Sequence, residues 1–173
     1  WLFMLSPLAI VFAMSFGRDR FSTATLQLMF WAFAALMGVS MSTIFLVYTG
    51  QSIATTFFAT AAAFAGLSLV GYTTKKDLTG MGSFLTMGLI GILVAMVINI
   101  FLQSSALQLV VSILGVLIFA GLTAYDTQSL KRAYEYVAGS DMVGKAVILG
   151  ALSLYLDFIN MFQFLLSFMG QRD

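Results

Sequence analysis

Cysteine and histidine are both absent from the 173 residues. Without cysteine there is no disulfide, no thiol nucleophile and no thiolate metal site. Without histidine the commonest catalytic base, the commonest zinc ligand and the usual pH switch are gone. Charge is scarce as well. Asp, Glu, Lys and Arg make up 9% of the chain, against about 25% in soluble domains. A net charge of +1 gives no electrostatic basis for binding nucleic acid. Chemistry is left to Asp, Glu, Lys, Arg, Tyr, Ser and Thr, and any pH response near neutrality must come from carboxylates.

What fills the chain instead is hydrocarbon. It is 61% hydrophobic, with a mean hydropathy of +1.01. No polar stretch exceeds about fifteen residues, far below the roughly 50 that the smallest domains need. The reading is a single all-α transmembrane domain over residues 1–173, with the lipid bilayer as its solvent. The chain opens on Trp1, and the apolar segment there has no basic run before it, unlike a signal peptide. Residues upstream of Trp1 are expected.

A spanning helix needs about 20 apolar residues. Six segments qualify: Trp1 to about Phe16, which looks truncated; Leu26–Tyr48; Ile53–Tyr72; Gly82–Leu102; Leu107 to about Asp126, with a possible amphipathic continuation; and Val143–Met169. Short polar breaks between them make consecutive helices antiparallel neighbours in a bundle. The first, third and fifth connections carry Arg18, Arg20, Lys75, Lys76, Lys131, Arg132 and Lys145, and the second and fourth carry no basic residue. Only Arg172 lies beyond the last segment. The positive-inside rule puts the connections with Arg18, Lys75 and Lys131 in the cytoplasm and the C-terminus on the opposite side. The small residues Ala61, Ala62, Ala63, Ala65, Gly66, Gly88 and Gly91 read as helix-packing positions.

Two acids break the hydrocarbon: Asp126, in Thr123-Ala124-Tyr125-Asp126-Thr127-Gln128, and Asp157, in Tyr155-Leu156-Asp157-Phe158-Ile159-Asn160. An Asp at the centre of a spanning helix costs about 2.5–3.5 kcal/mol on insertion scales. Spacings of three and four put Gly150, Ser153, Asp157, Asn160 and Phe164 on one face of the sixth segment. The same spacings align Gly115, Phe119, Thr123, Asp126 and Leu130 on the fifth. Asp157 sits roughly 16 Å from the basic end of its helix, near mid-bilayer. If the two stripes meet, the carboxyls compete for one proton, because two charges in contact do not both form cheaply at low dielectric. The pair then becomes a proton or cation sensor. It offers up to four of the six to eight oxygens that Ca²⁺ takes, with Thr123, Ser153 and Asn160 as supporting polar residues. Blander readings compete. Asp126 is shallow enough to end a helix and reach the surface, and a protonated Asp157 bonded to another helix would be purely structural. Lys131 and Arg132 read as orientation charges, Arg18 as a charge at the mouth of the site, and Asn99 and Gln163 as bonding between helices.

At these two segments the chain resembles the Bax inhibitor one family, also called the transmembrane Bax inhibitor motif family. The resemblance rests on Ala124-Tyr125-Asp126-Thr127-Gln128 with Lys131, and on Ala151-Leu152-Ser153-Leu154-Tyr155-Leu156-Asp157-Phe158-Ile159-Asn160. Gly38-Val39-Ser40-Met41-Ser42 is similar to a serine-containing helix of that family. The resemblance implies a fold of seven helices, the last enclosed by the others, of which this chain holds the second to the seventh. It implies a pH-sensitive calcium leak of the bacterial inner membrane with Asp126 and Asp157 as sensor and Arg18 as a latch. Ca²⁺ enters as the permeant or bound ion, and no other cofactor is implied. Some members carry an acid where Ser6-Pro7-Leu8-Ala9 stands here, so no third acidic ligand is supplied by that stretch. Other bacterial members associate with the membrane-bound ATP-dependent protease FtsH. An interaction protein of that kind is the alternative function. No enzymatic activity is expected. An intramembrane aspartyl protease would carry Gly-x-Gly-Asp where Leu154-Tyr155-Leu156-Asp157 stands, and a serine hydrolase has no histidine to activate it.

Overall fold

Hydroxyl side chains open three of the long helices. Ser22 Oγ accepts the Thr25 amide at 3.2 Å, Thr49 Oγ1 the Ser52 amide at 3.1 Å, and Ser104 Oγ the Leu107 amide at 3.2 Å. Each satisfies one of the orphan donors at a helix start. The computed structural model describes residues 9–14, 16–17, 20–140 and 143–169. Its helices are α1 (Thr23–Met41), α2 (Ile44–Val47), α3 (Gly50–Thr73), α4 (Thr79–Leu102), α5 (Ser105–Val137) and α6 (Val143–Met169). Residues 9–14 are helical too, and most of the first expected span lies outside the described residues. No strand occurs among the described residues. Five stretches are long and apolar enough to cross a membrane: Thr23–Val47, α3, α4, α5 and α6.

Two elements differ from the hydropathy reading. The segment read as Leu26–Tyr48 breaks after Met41. Ser42 Oγ donates to the Val39 carbonyl at 2.6 Å and Thr43 Oγ1 to the Ser40 carbonyl at 3.2 Å, drawing the backbone out of α geometry. The fifth helix takes up the amphipathic continuation past Asp126 and carries it, unbroken, for three turns to Val137, 33 residues in all. That is roughly 50 Å of helix against a hydrocarbon core of about 30 Å, so the polar stretch after Asp126 extends past the apolar zone.

The last helix is interior, packing against α1, α3 and α5, but it shares that position with α5, which packs against α3, α4 and α6. Phe119, Leu122 and Met161 form a buried cluster between the two. A second cluster, Met14, Leu26, Phe33 and Leu152, joins α1 and residue 14 to α6. Edge-to-face rings tie α3 to α6, with Phe57 and Phe64 against Phe158 at 5.6 and 5.4 Å. α3 and α5 approach closely. A side chain at Gly71 would collide with the Ala124 backbone carbonyl, so only glycine lets the two backbones touch. The outer face of α4, with Phe84, Met87, Ile90, Val97 and Phe101, is exposed, as a lipid-facing surface must be.

The extension of α5 ties down the connection between α3 and α4. Gln128, which is buried, accepts the Leu78 amide at 2.9 Å and donates to the Lys76 carbonyl at 2.7 Å. Lys131 Nζ donates to the Tyr72 carbonyl at 2.9 Å and lies 4.6 Å from the Tyr72 ring centroid. Arg132 pairs with Asp77 at 2.9 Å. Lys131 and Arg132 therefore act on the end of α3 and the loop after it, and not on the acids. The Thr79 hydroxyl and amide, with Arg132 behind them, hold the exposed Asp77 carboxyl below the usual carboxylate range.

Two outcomes follow from this packing. Gly71→Val destabilises the bundle by about 1–3 kcal/mol, the usual cost of overpacking. Gly91→Val, which meets open space, changes stability by less than about 0.5 kcal/mol. Thermal unfolding in detergent compares the two, and equal effects would refute the close approach. Because the carboxyl of Asp77 is held low in the folded state, its stabilising contribution is complete above the ordinary pKa and fades as pH falls toward the folded value. The Tm gap between wild type and Asp77→Asn is therefore present at neutral pH and closes progressively below about pH 4.

Candidate functional site

The five-residue connection between α5 and α6, residues 138–142, forces the two helices to run antiparallel and side by side. Their polar stripes meet. Asp157 lies at the middle of α6 and is 5% exposed. Asp126 is half-buried on α5, and its carboxyl lies within side-chain hydrogen-bonding and charge reach of Asp157. Asp157 Oδ2 is buried without a hydrogen-bond partner. A buried polar oxygen left unpaired is unusual and calls for an explanation beyond packing.

Asp126 also borders solvent-sized space. A cleft of about 470 Å³ opens between the basic-loop ends of α5 and α6, lined by Asp126, Ser129, Ala133, Lys145, Gly150 and Ser153. Gly150 fits against the Leu130 side chain, which keeps the helices close behind the cleft. One acid of the pair thus faces the cleft and the other is sealed behind it. Lys145, read from sequence as an orientation charge only, lies on the cleft wall.

The supporting residues divide. Ser153 is in the cleft with Asp126, and its hydroxyl donates to the Leu149 carbonyl at 3.2 Å. Thr123 is fully buried, and its hydroxyl donates to the Phe119 carbonyl at 2.7 Å, so its proton is committed to its own helix. Asn160 donates to the Leu156 carbonyl at 2.8 Å and lines a different cavity toward the opposite end of the bundle. Arg18 lies outside the described residues. Tyr155 turns toward α1, edge-on to Phe33 at 5.4 Å, away from the acids. Among the described residues no group of three or more acids gathers. A divalent cation held between Asp126 and Asp157 would draw its remaining oxygens from neutral groups and water, Ser153 first among them.

Two polar features were not singled out from sequence. Gln128 anchors the α3–α4 loop as described above. Gln108, Ser112 and Ser167 bond to one another across α5 and α6. Extending the Asp126 stripe back along α5 by threes and fours would have reached Gln108 and Ser112. Asn99, expected to bond between helices, does so at 3.5 Å to Gln108, but its shorter bond accepts the Ser104 amide at 2.9 Å and closes the turn after α4.

A family model described as Inhibitor of apoptosis-promoting Bax1 matches residues 1–173. An uncharacterized protein of Caulobacter vibrioides is 53% identical over 167 residues, covering 95% of this chain and 66% of the relative. A protein of Rickettsia prowazekii is 49% identical over 174 residues, with 99% and 72% covered. The inner membrane protein YbhL of Escherichia coli is 47% identical over 171 residues, with 98% and 73% covered. The chain thus spans about two thirds to three quarters of the length of these relatives. A match along its whole length, together with this helical bundle, shows that the chain belongs to the Bax inhibitor-1 family of membrane proteins.

Proposed function

We propose that this protein is a non-enzymatic, pH-sensitive cation leak of a bacterial inner membrane, with Ca²⁺ as the permeant ion. One observation carries the reading: a mid-membrane carboxyl, Asp157, has an unpaired buried oxygen and a second carboxyl beside it that borders an open cleft. The inner-membrane assignment draws on the bacterial relatives, of which YbhL is named an inner membrane protein.

In this reading the two carboxyls share one proton in the closed state. Loss of that proton leaves two negative charges facing each other. At about 4 Å and an effective dielectric of 20, such a pair repels by about 4 kcal/mol. The repulsion is relieved by separating α5 from α6, by admitting water, or by binding a cation. A bias of that size moves a two-state equilibrium by about three orders of magnitude. Protons and Ca²⁺ then compete for the same oxygens, which makes flux rise with pH. The cleft supplies the approach from the basic-loop side. No resident cofactor is needed.

The test is Ca²⁺ flux into proteoliposomes. Wild-type flux rises by about tenfold or more between about pH 6 and pH 8. Asp157→Asn and Asp126→Asn each flatten that profile, since one neutral amide removes the paired charge. If both variants keep the wild-type profile, the sensor is wrong. A stoichiometric protease partner recovered equally with wild type and both variants would favour the interaction-protein function instead.

A further inference from the structure

A pocket at the start of α3 is walled almost wholly by polar side chains. Its volume is about 220 Å³, and Thr49, Gln51, Ser52, Thr55 and Thr56 line it, with Met169 at the end of α6. Helix geometry explains the gathering. Thr49 is the N-cap of α3, and Ser52, Thr55 and Thr56 follow it at spacings of three and four. The Cα–Cβ bonds of a helix tilt toward its start, so the Thr56 side chain leans back over the first turn, into the pocket wall.

Thr56 is 1% exposed, and its hydroxyl oxygen is buried with no hydrogen-bond partner. Thr60, one turn on, shows the ordinary arrangement: its hydroxyl donates to the Thr56 carbonyl at 2.7 Å. A buried hydroxyl left without a partner is costly, and valine would fill the same shape without that cost. Backbone donors converge on the same place. Thr49 occupies two early amides, its hydroxyl oxygen accepting from Ser52 and its carbonyl from Ile53, each at 3.1 Å. The Gly50 and Gln51 amides, at the first two helical positions, have no acceptor within the helix. None of the lining residues is an acid, and no acid occurs between Asp19 and Asp77. The positive end of the α3 dipole therefore meets no anionic side chain in the pocket. Depth matters too. The 24 residues of α3 span roughly 36 Å against a hydrocarbon core of about 30 Å, which sets the first turn at headgroup level.

We propose that this pocket binds a phosphate group, whose oxygens accept from the first-turn amides of α3 and from the Thr56 hydroxyl. A tetrahedral oxyanion presents acceptors in several directions at once, which suits donors spread over more than one turn, and a helix start favours negative charge. Free phosphate and a phospholipid headgroup supply the same chemistry. Phosphate binding here is independent of the acid pair and of any leak.

The full chain in lipid-stripped, phosphate-free detergent tests this by thermal unfolding. One arm titrates inorganic phosphate at constant ionic strength. The other titrates a short-chain phosphatidic acid against the diacylglycerol with the same chains. Salting effects raise wild type and variants alike, so the difference between them is the readout. Without ligand, Thr56→Val is at least as stable as wild type. With ligand, wild type shows a saturable rise in Tm. Thr56→Val weakens the apparent affinity by about tenfold or more, and Thr56→Ser retains it. Thr55→Val, at an exposed position, weakens it in the same direction. A Thr56-dependent rise with inorganic phosphate identifies the free ion as sufficient, and one seen with phosphatidic acid alone identifies the headgroup. No saturable rise in wild type from either source, or a rise that Thr56→Val and Thr55→Val both leave unchanged, overturns the site.

Discussion

Burial of the Asp157 carboxyl at mid-helix is the constraint around which the bundle is arranged. At that depth there is no water to solvate an exposed carboxyl, so α6 must turn its acidic face into protein. The Asp126 stripe of α5 offers a surface of matching polarity. Once those two faces meet, α3 and α4 complete the enclosure of α5. The contact between Gly71 and the Ala124 carbonyl brings α3 against α5 two residues from Asp126. Packing energy in lipid comes from such close approaches more than from hydrophobicity, because the tails outside are as apolar as the side chains inside.

The two ends of α5 are held differently. At the basic end Gln128, Lys131 and Arg132 bind the α3–α4 connection through an amide clamp, a carbonyl bond with a cation–π contact, and an ion pair. These contacts fix α3, α4 and α5 to one another. They do not involve α6, whose neighbouring surface at that end is the open cleft. The seam between α5 and α6 is thus bordered by space at both ends and by aromatic packing at its centre. A charge change at the acid pair acts within the most extensive helix–helix contact of the described bundle.

Much of this was legible in sequence, and the failures have physical causes. Hydropathy over 20 residues averages transfer energy, so it found α3, α4 and α6 to within a few residues. It is blind to hydroxyl groups that bond back to the chain, and so missed the break at Ser42 and Thr43. It stops where polarity begins, although a helix does not, and so left the last eleven residues of α5 as an open continuation. The helical wheel placed Asp126 and Asp157 on meeting stripes. A wheel gives the direction of a residue but not what its polar atom bonds. Thr123 shares the stripe yet spends its proton on its own backbone, and Asn160 shares it yet lines the other cavity. The family resemblance placed the last helix inside, and α5 shares that place by packing against α3, α4 and α6.

The chemical asymmetry along the α5–α6 seam follows from cost. An ionisable group is affordable in lipid only where a partner or water reaches it, and the chain places its two spanning-helix acids together, beside the lysine-bordered cleft. Farther along the seam the same geometry is built from Gln108, Ser112, Asn160 and Ser167, which can line water without ever carrying charge. Charge is thus confined to one station beside the cleft, and the rest of the seam is closed by neutral polar groups and by the stacked rings of Phe119 and Phe164.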